Sequence, residues 1–137
     1  MHKTVNDIIA KKGSKKISVV TSYDYTMATL CDQVDILLVG DSAGMVMLGY
    51  ENTVHVTMDE MVLFTKAVSN ARENALIVAD LPNKSYENEA DAVANSERLI
   101  RAGADAVKLE GRLPDIIRAI IKAGIPVMGH LGLLPQP

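Results

Sequence analysis

Five short runs of apolar, largely β-branched residues recur along the chain, and no other feature restricts its fold as strongly. They are Ile17-Ser18-Val19-Val20-Thr21, Ile36-Leu37-Leu38-Val39, Ala75-Leu76-Ile77-Val78-Ala79, Ala106-Val107-Lys108-Leu109 and Ile125-Pro126-Val127-Met128. A strand with one wet face alternates apolar and polar residues, whereas near-continuous apolar runs suit strands covered on both faces, as in a parallel sheet. Stretches with helical spacing separate the runs. Thr57-Met58-Asp59-Glu60 has the form of a capping box and leads into Met61, Val62 and Val68 on one face. The segment from Glu87 to Ala102 is charged at its start and places Ala90, Val93 and Ala94 at helical spacing. Pro114 stands where a first-turn proline belongs, followed by a stripe of Ile116, Ile117, Ile120 and Ile121. Gly103 and Gly124 each follow an alanine at a predicted helix end, where glycine adopts the left-handed conformation at least cost. Arg101-Ala102-Gly103 and Lys122-Ala123-Gly124 repeat that ending as a weak internal echo. The alternation predicts one α/β unit with five parallel strands: a small doubly wound sheet, or the first part of a (β/α)8 barrel.

Composition narrows the partners. A chain of 137 residues holds one domain, and 48% hydrophobic with 23% charged residues disfavours disorder and coiled coil. No apolar run approaches the roughly 20 residues of a membrane span, and Met1 to Asp7 lacks the apolar core of a signal peptide, so no membrane partner is expected. Cys31, the single cysteine, has no internal disulfide partner, which makes a reducing cytoplasm the expected compartment. Acids outnumber bases 17 to 14, and tryptophan is absent, so a nucleic-acid partner is not expected either.

Each apolar run leads into a polar group: Tyr23-Asp24, Asp41-Ser42, Asp80, Glu110 and His130. Lys108 lies two residues before Glu110, so both side chains share one face of a strand. In parallel α/β folds such residues converge on one rim, where active sites are built. Asp41, Asp80 and Glu110 brought together would repel unless they shared a cation, and hard oxygen ligands of that kind suit Mg²⁺. Lys108 beside them would hold an anionic substrate group. An acid after a strand serves equally well as an N-cap for the next helix, and Asp24 and Asp41 are the foremost candidates for that role. Lys108, inside an otherwise apolar run, needs a partner wherever it lies.

Other features carry less. Gly40 to Gly44 and Gly129 to Gly132 read as glycine-containing turns that match no dinucleotide or phosphate-loop motif. His2 and His55 read as surface residues, Cys31 as a small core residue, and Met45, Met47, Met58 and Met61 as packing residues.

The chain resembles the ketopantoate hydroxymethyltransferase family. The matching stretches are Thr21 to Tyr25, Leu38-Val39-Gly40-Asp41-Ser42-Ala43-Gly44-Met45-Val46, Val56 to Met61, Val78-Ala79-Asp80-Leu81-Pro82, Ala106-Val107-Lys108-Leu109-Glu110-Gly111 and Pro126 to Leu133. They follow family order from about Thr4 to Gln136. The resemblance implies a (β/α)8 barrel that transfers a one-carbon unit from 5,10-methylenetetrahydrofolate to 3-methyl-2-oxobutanoate, giving 2-dehydropantoate. Carried over by motif, Asp41, Asp80 and Glu110 fall on the Mg²⁺ site. Asp41, Ser42, Asp80, Lys108 and His130 fall on the substrate site. The family's general base is a glutamate beyond Pro137, so no residue of this chain is assigned as catalytic.

Barrels of this type need roughly 200 residues or more, so residues 1–137 are expected to form a single partial barrel domain of about five βα units. Its end strands would expose unpaired backbone, and association with a second copy or a complementing chain is expected. A non-catalytic member that keeps a Mg²⁺ and 2-oxo acid half-site is the alternative function, and a Mg²⁺-dependent 2-oxo acid lyase is the third. Two local departures stand out. The segment Cys31 to Asp35 is shorter than usual for the family, and Asn83 and Lys84 replace apolar residues near the site.

Overall fold

In the computed structural model, which describes residues 1–136, every apolar run yields a strand: β1 Val19–Thr21, β2 Ile36–Val39, β3 Leu76–Asp80, β4 Ala106–Glu110 and β5 Val127–His130. The helices are α1 Val5–Ile9, α2 Tyr25–Cys31, α3 Ala43–Leu48, α4 Met58–Ala71, α5 Glu89–Arg101 and α6 Pro114–Lys122. All strands are parallel and lie in the order β1-β2-β3-β4-β5. A doubly wound sheet reverses its strand order at a switch point and carries helices on both faces. Here the order never reverses, and α2, α4, α5 and α6 line one face, so the unit is of the (β/α)8-barrel type with five strands.

Two-residue alternation divides β2, β3, β4 and β5 between two cores. Leu37, Val39, Ile77, Ala79, Val107 and Leu109 face the helices and pack with Ala28, Met61, Phe64, Val68, Leu99 and Ile120. Ile36, Leu76, Val78 and Ala106 face the other way, where Val5 and Ile8 of α1 cover them. The short α1 has too few residues to show a periodic signal. Its capping box, Thr4 with Asp7, sets its start.

Helix ends follow local chemistry. Thr57 and Glu60 form the capping box of α4, Pro114 opens α6, and Gly103 and Gly124 take φ of +109° and +84° after their helices. A side chain at Gly103 would also put its Cβ 1.9 Å from Ser69 Oγ, so the glycine permits close packing of α4. The buried face of α5 is Ala92, Ser96 and Leu99, not the face of Ala90, Val93 and Ala94; Ala90 and Ala94 are exposed. Asn88 caps the helix and so sets its phase, which alanine spacing alone does not reveal. On α6, Ile116 and Ile120 are buried while Ile121 is exposed. β5 begins at Val127 because the Ile125 N–H closes the preceding helix on the Ile120 carbonyl and Pro126 has no N–H to donate. Gly129 and His130 therefore lie in a strand, not in a turn. Ala43 and Gly44 likewise lie inside α3.

Three aspartates tie down the amino ends of the strands. Asp32 accepts from the N–H groups of Glu73, Asn74 and Ala75 at 2.9, 2.7 and 3.1 Å, and from the Asn74 carboxamide at 3.0 Å. Asp35 accepts from the N–H and hydroxyl of Ser18 and pairs with Lys11. Asp105 accepts from the Ile77 N–H at 2.8 Å and pairs with Arg72 and His2. Burial acts to raise the Asp32 pKa, but the backbone donors outweigh it and hold the carboxyl below its usual value. Lys11 and then Ser18 lower Asp35 to about 2.

Carboxyls depressed in the folded state stabilise it above their unfolded pKa of about 3.9, and that contribution is lost as pH falls through the folded value. The urea midpoint should therefore drop as pH is lowered from 4 toward 2, and less steeply in Asp35→Asn. Asp32→Ala strands three backbone donors, so it should cost about 3 kcal/mol or more in urea unfolding at pH 7. An unchanged midpoint would contradict this role.

Candidate active site

Strand register sets the site. Asp80 of β3 pairs with Lys108 of β4, which pairs with Met128 of β5, and two residues on Glu110 pairs with His130. Residues two apart on a strand share a face, so Asp80, Lys108, Glu110 and His130 lie on the face away from the helices, at its carboxyl rim. Asp41 and Ser42 follow β2 and enter the same rim.

Lys108 Nζ donates to Asp80 Oδ1 at 2.9 Å. Asp80 Oδ2 accepts from the backbone N–H of Asp41 at 3.1 Å, which holds the two aspartates next to each other. Asp41 Oδ2 accepts from the carboxamide of Gln136 at 2.6 Å. Glu110 Oε1 lies 3.1 Å from His130 Nδ1, and Glu110 Oε2 accepts from the Gln136 N–H at 3.1 Å. The Tyr23 hydroxyl lies 2.7 Å from Ser42 Oγ. All six residues singled out from the sequence are thus at one rim, five of them in one connected network and Ser42 beside it with Tyr23.

Asp41 does not cap a helix. Ser42 precedes α3 without a side-chain cap bond, and Asp41 is buried and turned toward Asp80. Gly40 makes this possible: a Cβ there would meet Ser42 Oγ at 2.9 Å and Asp80 Oδ2 at 3.7 Å. Asp24 does cap α2, accepting from the Met27 N–H at 2.9 Å. Asp80 and Glu110 cap nothing, since α5 is capped by Asn88 and α6 has Leu113 at its N-cap with no side-chain bond.

The rim has an excess of negative charge. Burial raises the Asp41 pKa, with Asp80 and Glu110 adding repulsion against the Gln136 amide and Lys108. Burial likewise raises Asp80, opposed mainly by Lys108. Three carboxylates therefore face one lysine and one histidine. The adjacent hard oxygens of Asp41 and Asp80 fit Mg²⁺, which takes one or two carboxylates and fills its octahedron with water and substrate oxygens. Among the described residues no three His, Cys, Asp or Glu side chains form a ready-made cage. An ion held here would accordingly draw ligands from solvent and from a bound acid.

A cavity of about 350 Å³ opens beside Glu110, with Asn83, Lys84, Tyr86, Leu113 and Gln136 also in its wall. The departures Asn83 and Lys84 thus border the site, and Lys84 holds φ of +63°, which few non-glycine residues adopt. Sequence reasoning missed Tyr86 and Gln136. Tyr86 has its phenol pushed up by burial and bonds the Gln136 carboxamide oxygen. Neither residue type signals a site by itself, although both fall just beyond strand ends. His55 is exposed, Cys31 is only partly buried against the helix-side core, and His2 pairs with Asp105 at the opposite rim. Met61 is a core residue and Met58 packs on that core, but Met45 and Met47 are exposed on α3, which buries only Ala43 and Gly44.

A family model described as ketopantoate hydroxymethyltransferase matches residues 2–137. A relative from Nitrosopumilus maritimus named 3-methyl-2-oxobutanoate hydroxymethyltransferase is 65% identical, covering 99% of this chain and 51% of its own length. One of the same name from Saccharolobus solfataricus is 54% identical, covering 97% and 52%. The chain spans about half the length of the curated relatives it matches. Among solved structures, phosphonopyruvate hydrolase in complex with oxalate and Mg²⁺ aligns with a TM-score of 0.75 at 13% identity, over 93% of this chain and 52% of that one. The 2,3-dimethylmalate lyase, a member of the PEP mutase/isocitrate lyase superfamily, aligns with 0.71 at 18%, over 94% and 51%. At those identities they show a shared fold. Family model and relatives each cover nearly the whole chain, and the chain belongs to the ketopantoate hydroxymethyltransferase family.

Proposed function

We propose that this chain carries the 2-oxo acid and Mg²⁺ binding part of a 3-methyl-2-oxobutanoate hydroxymethyltransferase, a transferase of pantothenate biosynthesis. Its reaction would move a hydroxymethyl group from 5,10-methylenetetrahydrofolate to 3-methyl-2-oxobutanoate, giving 2-dehydropantoate. The observation that most supports this is the buried Asp80–Lys108 pair between Asp41 and Glu110 on the strand rim. A fold neighbour solved with oxalate and Mg²⁺ accords with it, since oxalate is a small acid with adjacent oxygens.

Asp41 and Asp80 would hold the metal with Glu110 beside them, and Ser42, Lys108 and His130 would meet the acid together with the two aspartates. Bound Mg²⁺ supplies Lewis acidity toward the oxygens of a 2-oxo acid. The chain's own residues do the rest of the binding and positioning. Removing the C3 proton places negative charge on the 2-oxo oxygen, and the Lys108 ammonium sits at the rim to stabilise it. Tyr23 orients the Ser42 hydroxyl, which no helix cap consumes and which remains for the substrate. His130, held through Nδ1 by Glu110, presents its other nitrogen to a carboxylate. We assign the base for C3 to none of the described residues. We further propose that β1 and β5, the open edges of the sheet, associate with a second copy or a complementing chain.

Titration calorimetry should show 3-methyl-2-oxobutanoate binding only with Mg²⁺ present, and no binding to Asp80→Ala; metal-independent binding would contradict the reading. Asp41→Asn removes a repelled, buried charge but leaves an acceptor for Gln136, so it should raise the metal-free thermal midpoint by a few degrees while abolishing Mg²⁺-dependent binding. Sedimentation should give a species heavier than the 14.8 kDa chain, and a strict monomer with a cooperative melt would remove the edge-pairing proposal.

A further inference from the structure

Gln136 touches more of the rim than any residue the motifs single out. Its carboxamide nitrogen donates to Asp41 Oδ2 at 2.6 Å and to the Leu81 carbonyl at 3.2 Å. Its carboxamide oxygen accepts from the Tyr86 hydroxyl, and its backbone N–H donates to Glu110 Oε2 at 3.1 Å. The residue is buried, although it lies in the irregular segment that follows β5. Its amide orientation is determined, because a flipped group would set its oxygen against both a carboxylate and a carbonyl. Both N–H bonds and the oxygen are therefore used.

Resting on the metal reading above, we infer that Gln136 is a positioning residue of the cation site. It holds one oxygen of Asp41 and leaves the other, Oδ1, which no described residue bonds, toward the ion. The same residue pins Glu110 through its backbone, so one side chain and one peptide group fix the spacing of two of the three acids. Groups that hydrogen-bond a ligating carboxylate in this way typically account for 10- to 100-fold in metal affinity.

The test is titration of MgCl₂ by calorimetry into the chain and into Gln136→Met, which keeps the volume and loses the amide, and Gln136→Ala, with metal-free thermal midpoints measured beside them. Affinity should fall about tenfold or more in whichever variant melts cooperatively. A lowered midpoint with unchanged affinity would reduce Gln136 to a structural contact and overturn the inference. Tighter Mg²⁺ binding would overturn it too, since the amide would then be competing with the ion. Equal binding by chain and variants sinks this inference alone, whereas absence of Mg²⁺ binding by the unsubstituted chain sinks the metal reading with it.

Discussion

The parallel register that sets Asp80 beside Lys108 is the constraint on which the rest of the rim depends. Side chains alternate between faces, so slipping β4 by one residue would send Lys108 into the helix-side core and turn Leu109 toward the rim. The apolar rows beneath, Ile36 with Leu76 and Val78 with Ala106, oppose that slip because both cores must close at once. The pair is itself a poor source of stability. With side chains only 14% and 7% exposed, Lys108 and Asp80 forgo most of their hydration, and an apolar pair of similar volume would serve the sheet as well or better. Stability therefore does not account for a buried ion pair at the carboxyl rim of a well-packed sheet.

The two ends of the sheet use the same residue type for opposite ends. At the amino rim Asp32, Asp35 and Asp105 are satisfied by backbone N–H groups and nearby cations, and Asp32 and Asp35 stay ionised below the usual carboxylate range. At the carboxyl rim Asp41 and Asp80 have fewer donors and more like charge, and their pKa values rise. The first arrangement stores stability in the connections between strands. The second forgoes stability and leaves oxygen atoms in need of a partner, which is the division expected between the two faces of a βα barrel.

Most of the sheet was legible because each strand is a continuous apolar run, and most of the rim was legible because polar residues break those runs at their carboxyl ends. Strand order was not legible: five parallel runs serve a doubly wound sheet equally well, and the unreversed order with helices on one face decides. Asp41 illustrates a second limit. An aspartate after a strand has the same local signature whether it caps a helix or turns inward, and the choice falls to Gly40, whose missing side chain opens space for Ser42 and Asp80. Tyr86 and Gln136 were invisible because their roles arise from contacts across 50 and 95 positions of sequence. Alanine-rich α5 hid its buried face, since alanine weighs little on either side of a helix.

A barrel rim assembled from successive strands has a property that a site built from distant loops lacks: each step of its geometry depends on one neighbouring pair. Asp41 is set against Asp80 by a backbone N–H, Asp80 against Lys108 by register, and Glu110 against His130 by the next pair. None of these steps requires the sheet to close on itself. Gln136 then ties the segment after β5 back to Asp41, near the start of the series, so the rim is braced from both ends by residues of this chain. Binding geometry in such a sheet is separable from turnover. Five consecutive strands suffice to gather three carboxylates, a lysine and a histidine at one rim, with no contribution from the face that the end strands leave open.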